Sequence, residues 1–288
     1  MTFYRQFTCA VIIAGLFLAC NNNNNKEKVR QNDTSRYDLL NPFVIKLPSI
    51  LGEISGIYYY PKDTSVFAIE DEAGYFYKIY LERKGRIEKW QFSKREDFED
   101  LALHDSVFYV LISNGDIKSV KFDQGDTIIT NKTKFPKEGN KAYDFETMYY
   151  DDSLRQLILL CKDCEDEKNE VTAWGFDINT QSYTKGVFKI DALAIAQKTG
   201  KKKMKLKPSS AAINPVTNEL YILASINKMI VVTDRKGKFI SLYHLDPVIY
   251  KQPEGIAFTP AGDMIISNEW HESGLANILV IKNKKKGL

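Results

Sequence analysis

Five short segments of one texture recur along the 288 residues, and this recurrence leaves few architectures open to the chain. They are Glu53-Ile54-Ser55-Gly56-Ile57-Tyr58-Tyr59, Asp97-Phe98-Glu99-Asp100-Leu101-Ala102-Leu103, Asp144-Phe145-Glu146-Thr147-Met148-Tyr149-Tyr150, Pro208-Ser209-Ser210-Ala211-Ala212-Ile213-Asn214 and Gln252-Pro253-Glu254-Gly255-Ile256-Ala257-Phe258. Aligned on the third residue they stand at 55, 99, 146, 210 and 254, so the intervals are 44, 47, 64 and 44 residues. The long interval holds a short predicted helix, Asp191 to Thr199 with Asp191 as its cap, and a lysine-rich loop. An insertion into a unit of constant size accounts for it.

Each unit reads strand, turn, strand, turn. In the first, Ser65 to Ile69, Tyr75 to Leu81 and Arg86 to Phe92 follow the opening segment, and all are rich in aromatic and β-branched residues. The second repeats this with Val107 to Ile112, Ile117 to Phe122 and Thr127 to Thr130. Turn residues separate the runs, as at Asn114-Gly115-Asp116 and Pro260-Ala261-Gly262-Asp263. About four strands per 44 residues is the period of a propeller blade. The expected fold is therefore all-β, a five-bladed β-propeller, with a sixth blade possible only inside the insertion.

The last unit runs one strand short before the lysine-rich tail Lys282 to Leu288, while Asn41 to Leu47 is strand-like and precedes any unit. Pairing the two would close the ring and remove two exposed edges. The N-terminal strand is thus predicted to complete the last blade.

Ahead of the propeller, Arg5 precedes an apolar or small stretch from Phe7 to Ala19 that ends at Cys20. That stretch is too short for a stable membrane span. Leu16-Phe17-Leu18-Ala19-Cys20 resembles the lipobox of bacterial lipoproteins, with Phe17 a departure from it. The resemblance implies lipidation of Cys20 after removal of residues 1–19, with 20–38 as a flexible tether led by the run Asn21 to Asn25 and 39–288 as the propeller. The simpler alternative is an ordinary cleaved signal with an incidental cysteine. No other apolar segment approaches the roughly 18 residues of a span. A cell-envelope protein held to the outer membrane by lipid, facing the periplasm or the surface, is expected.

Forty basic and thirty-seven acidic residues give a formal net charge of +3, which does not suggest bulk binding to nucleic acid. The stretch Gly200 to Lys207 carries five lysines and reads as a solvated loop, with a lipid headgroup contact as the alternative. A single Cys-x-x-Cys, Cys161 and Cys164, is half a zinc site, and the chain has three histidines. A local disulfide or two free thiols is the expectation. A monomer is expected, with an envelope ligand or protein as its unknown partner.

The opening Glu-x-Ser-Gly, the Asp-x-Glu segments, the Gln-Pro-Glu-Gly-Ile segment and the late Asn268-Glu269 together resemble the SdiA-regulated family of bacterial propellers over roughly Leu47 to Ile281. The resemblance implies five blades, a bound calcium ion, a distant relation to NHL-repeat propellers and no established reaction. Ser55 and Ser210 stand where the acidic pattern would place a carboxylate.

In a propeller the starts of the first strands and the loops after the second strands reach the same mouth of the channel. The expected metal ligands are Glu53, Glu99, Glu146 and Glu254, with Asp71, Glu72, Asp97, Asp144, Asn268 and Glu269 as further mouth residues. Crowded carboxylates repel unless protonated or bridged by a cation, and oxygen ligands without histidine favour calcium or magnesium. Taken singly, each acid is a solvated turn residue. The run Asp163 to Glu170 lacks the repeated placement and reads as solvated. Two functions fit: a calcium-stabilised binding module, which is favoured, and a metal-dependent hydrolase of esters, lactones or phosphoesters in which a metal-bound water attacks. No Gly-x-Ser-x-Gly elbow occurs to support a serine hydrolase.

Overall fold

The computed structural model describes residues 36–82, 85–123, 128–165, 167, 169–269 and 275–285. The signal segment, Cys20 and most of the tether lie outside these residues. Twenty strands form five antiparallel four-stranded sheets. Strand β1 (Phe43–Lys46) precedes blade one, which comprises β2 (Ile54–Tyr60), β3 (Ser65–Glu70), β4 (Tyr75–Tyr80) and β5 (Ile87–Gln91). Blade two comprises β6 (Phe98–His104), β7 (Val107–Ile112), β8 (Ile117–Phe122) and β9 (Ile128–Thr133). Blade three comprises β10 (Phe145–Asp151), β11 (Gln156–Cys161), β12 (Glu170–Asp177) and β13 (Ser182–Asp191). Blade four comprises β14 (Ser210–Ile213), β15 (Leu220–Ala224), β16 (Met229–Thr233) and β17 (Phe239–His244). Blade five comprises β18 (Pro253–Phe258), β19 (Met264–Asn268) and β20 (Asn277–Ile281), completed by β1 (Phe43–Lys46).

The closure is as the sequence predicts. Strand β1 pairs antiparallel with β20 through Phe43 with Val280 and Lys46 with Asn277, and forms the outer edge of the last blade. The seal reaches further back than Leu39. Tyr37, assigned from sequence to the tether, is wholly buried, and its backbone bridges to Asn283. Its hydroxyl donates to the Gly262 carbonyl at 2.7 Å and accepts from Asn214 Nδ2 at 2.7 Å, tying the N-terminal segment to blades four and five.

Burial follows position in the blade. The second strands are apolar runs such as Val107-Phe108-Tyr109-Val110-Leu111-Ile112, because both their faces are covered by neighbouring blades. The outer strands β5 and β9 hold no fully buried residue. Aromatic side chains fill the seams between blades, as where Phe67 of β3 meets Phe108 of β7 with ring centroids 4.7 Å apart. The five first strands β2, β6, β10, β14 and β18 contact one another around the axis. Helix α1 (Ala192–Lys198) is the predicted insertion, and Asp191 caps it by accepting from Ala194 N at 2.8 Å. Five sheets account for all twenty strands among the described residues, so the insertion holds no sixth blade.

The segment after β11 departs from expectation. Glu167 is buried and accepts from Thr172 N at 2.9 Å, and Asp163 pairs with Lys205 and Lys207. Glu167, read from sequence as solvated, is thus held by the third-blade sheet, while Asp163 is exposed as expected and pairs with the lysine loop. Cys161 and Cys164 form a disulfide, the first of the two states expected for them.

Candidate functional site

In four blades the first residue after the second strand donates its N–H to a carbonyl at one mouth of the channel, and in blade four Ser225 N donates to the Ser209 hydroxyl. Asp71 N donates to Glu53 O at 3.2 Å, Ser113 N to Asp97 O at 3.0 Å, Lys162 N to Asp144 O at 2.8 Å and Glu269 N to Gln252 O at 2.9 Å. The next blade is joined in the same way, Phe98 N donating to Asp71 O at 2.6 Å and Phe145 N to Ser113 O at 2.7 Å. The two families of acids, strand starts and loops, therefore do meet at one end of the propeller.

A β-bulge aims the carboxylates. In four first strands the pairing register slips where the repeated segment lies: between Ile54 and Ile57, Phe98 and Leu101, Phe145 and Thr147, and Pro253 and Gly255. Glu99, Glu146 and Glu254 are residues of these bulges, left out of the ladder and free to turn to the channel. In blade four β14 pairs with β15 in unbroken register, and there the position is Ser210.

The electrostatics of the mouth are those of crowded acids. Burial, then the charges of Asp97 and Asp144, pushes Glu99 up to about 9. Burial and Glu53 push Asp71 up to about 7. Burial pushes Glu254 up to about 7 against the opposing pull of Lys162, and its carboxylate accepts from the hydroxyls of Ser225 and Ser209. Glu269 is raised to about 7 by burial, Glu254, Asp71 and Glu53. Asp144 is raised by burial, with Lys162 pulling it down.

Not every predicted acid takes part equally. Glu72 turns away to pair with the exposed Arg95. Asn268 is buried within blade five, its amide donating to Ile249 O and Asn277 Oδ1. Glu53 groups with Glu70 and Asp71, each offering an oxygen within 4.8 Å of the others. Glu70 was not foreseen, because it ends a strand outside the repeated segment.

Two further residues escaped the sequence reading. Asp100, one per cent exposed, sits inside the ring below the mouth. Its Oδ1 accepts from Leu101 N at 2.9 Å, and its Oδ2 accepts from Met148 N at 3.0 Å and the Ser210 hydroxyl at 3.0 Å. Burial pushes its carboxyl well above the carboxylate range, and these three donors oppose the rise. Ser55 and Ser267 complete the layer, the Ser55 hydroxyl donating to Glu99 O and the Ser267 hydroxyl to Ser55 O. The second is Lys162, whose ammonium pairs with Glu146. Its signal was available: Lys162 follows β11 as Asp71 follows β3 and Glu269 follows β19.

A hard cation suits this donor set. The carboxylates converging on the mouth offer oxygens as ligands, and among the described residues the nitrogens Lys162 Nζ, Lys228 Nζ and Gln252 Nε2 act on Glu146, Glu254 and Glu269, while Glu146 Oε2 and Asp71 Oδ1 are buried without a hydrogen-bond partner. Beyond the Asp100 layer the opposite end of the channel widens into an apolar cavity of about 380 Å³ walled by Ile57, Leu101, Met148, Ala211 and Ile256.

Sheet order, closure and mouth define a five-bladed β-propeller with a carboxylate-lined opening. Residues 43–271 match the SdiA-regulated family, and the chain belongs to it. Among solved structures it is similar to a luciferin-regenerating enzyme, at 10% identity and TM-score 0.52, over 84% of this chain and 96% of that one. It is likewise similar to glutaminyl cyclase of Myxococcus xanthus, at 12% identity and TM-score 0.52, again over 84% and 96%. At such identities the likeness concerns the fold alone. No curated protein matches the chain.

Proposed function

We propose that this protein is a lipid-anchored propeller of the cell envelope that holds a calcium ion at the acidic mouth and serves as a binding module. The observation that carries the metal part is the convergence of Glu53, Asp71, Glu99, Glu146, Glu254 and Glu269 from four blades on one opening, with Asp71, Glu99 and Glu269 raised by burial and neighbouring carboxylates and Glu254 by burial. Glu53, Glu99, Glu146 and Glu254 are the proposed ligands, and a bound divalent ion would supply the charge that lets them ionise together. Burial and crowding account for the raised carboxyls of the mouth without any reaction, which supports the binding role, and a hydrolase would need one of them as a general base beside a metal-bound water.

The test is thermal denaturation with calcium or with a chelator. Calcium should raise the midpoint by mass action, and Glu254→Gln should blunt the effect while leaving the fold intact. A midpoint indifferent to both additions would remove the metal from the reading. Attachment is tested separately: Cys20→Ser should move the protein from the membrane fraction to the soluble one. Retention of that variant on membranes, with the signal still cleaved, would defeat the lipid anchor.

A further inference from the structure

The acidic mouth contains a cation of its own. Lys162 is the first residue after β11, and its place in the blade is that of Asp71 in blade one and Glu269 in blade five. There the side chain enters the carboxylate ring instead of extending it. Its ammonium pairs with Glu146 Oε1, and its charge acts on Glu99, Asp144, Glu254 and Glu269. Glu146 is 8% exposed, and its second oxygen is buried with no partner. One ammonium thus satisfies half of a carboxylate that faces a ring of others.

The backbone around Lys162 is fixed on both sides. The Cys161–Cys164 disulfide, with its half-cystines 1% and 5% exposed, closes the turn that contains it. Lys162 N and Asp163 N both donate to the Asp144 carbonyl, and Asp163 is clamped by Lys205 and Lys207. A long flexible side chain on a pinned backbone can swing out while its anchor stays put.

We propose that Lys162 is a tethered counter-ion occupying the cation position beside Glu99, Glu146 and Glu254, and that a divalent cation binds there by displacing it. The proposal rests on the calcium reading above and deepens it. A positive charge within the ligand set repels an incoming cation and already satisfies one ligand, so both effects weaken metal binding. Displacement restores both oxygens of Glu146 to the metal. The disulfide holds the ammonium over the mouth, so opening that turn should weaken its competition.

Titration calorimetry of calcium chloride into the full chain tests this, using the wild type, Lys162→Met, Lys162→Arg and a Cys161→Ala, Cys164→Ala double variant. Lys162→Met should bind at least about tenfold more tightly, equivalent to about 1.4 kcal/mol of relieved competition. Lys162→Arg, which keeps the charge, should bind as the wild type does, and the cysteine variant should fall between. In chelator, Lys162→Met should melt below the wild type, because the carboxylates lose their counter-ion, and calcium should reverse the order. Binding by Lys162→Met that is no tighter than wild type overturns the displacement and leaves the calcium reading standing. Binding by Lys162→Met with none by the wild type overturns the displacement, because the ammonium then blocks the site outright, and removes calcium from the native protein. No binding by any variant overturns both.

Discussion

Asp100 shows how one residue can hold a ring together. Its aligned counterparts in the other blades are Gly56, Thr147, Ala211 and Gly255, all small. The reason is space. A Cβ on Gly56 would lie 2.4 Å from Asp100 Oδ1 and 2.6 Å from its Cα, so any side chain there collides with the backbone of the next blade. Gly56→Ala should therefore destabilise the domain by roughly 1–3 kcal/mol, the usual cost of overpacking. Asp100→Asn is nearly isosteric yet should cost a similar amount. Both oxygens face N–H or O–H donors, so whichever way the amide flips it sets a donor against a donor, at about 1–3 kcal/mol for each group left unmade. Urea unfolding measures both, and a midpoint within error of wild type for either variant contradicts the account of this layer.

At the scale of elements, closure depends on the segment from Tyr37 to Lys46. Strand β1 contributes four ladder positions against β20, while Tyr37 is wholly buried against Tyr221 and Tyr243 with ring centroids 6.1 Å apart in each case. Removing residues 41–47 strips the outer edge from blade five and breaks the ring, whereas removing residues 21–35 leaves every described contact in place. The first deletion should lower the melting temperature severely and the second leave it unchanged; equal midpoints would show that β1 does not close the propeller. Tyr37→Ala should cost about 3–5 kcal/mol by analogy with other large buried aromatics, more than sequence alone would assign to a tether residue. Sequence periodicity had located β1 because its residues read as a strand without a blade. It gave no sign of Tyr37, which lies in polar sequence surroundings and is buried because its bridge to Asn283 sets the ring against Tyr221, Tyr243 and Phe258.

For the whole molecule, the mouth couples stability to pH. Asp71, Glu254 and Glu269 near 7 and Glu99 near 9 lie above the roughly 4 of an unfolded carboxyl, so between about pH 4 and 9 the folded state binds more protons than the unfolded state. Stability in chelator should therefore fall as pH rises through that window, and be greatest at its acid end as far as these groups are concerned. Saturating calcium should flatten the slope by holding the same carboxylates ionised. Melting curves from pH 5 to 9 with and without calcium check this, and a chelator series that rises with pH would show that these groups are not the ones repelling.

The structure was needed to exclude a sixth blade from the insertion, but the order of strands within a blade, the closing role of Asn41 to Leu47 and the end of the channel at which Glu53, Glu99, Glu146 and Glu254 lie are legible in the linear chain. These follow from local patterns repeated at a fixed interval, which the chain carries in linear form. What those acids meet is set by the folding of distant blades onto one axis. Three bulges take Glu99, Glu146 and Glu254 out of the simple two-residue alternation, and the ring brings residues more than forty positions apart, Asp100 with Ser210 and Met148, to one axis. Rotation about that axis also sets Lys162 among carboxylates that belong to other blades. Neither a bulge nor a rotation is written in the spacing of hydrophobic residues, because both arise from the twist and closure of sheets packed face to face.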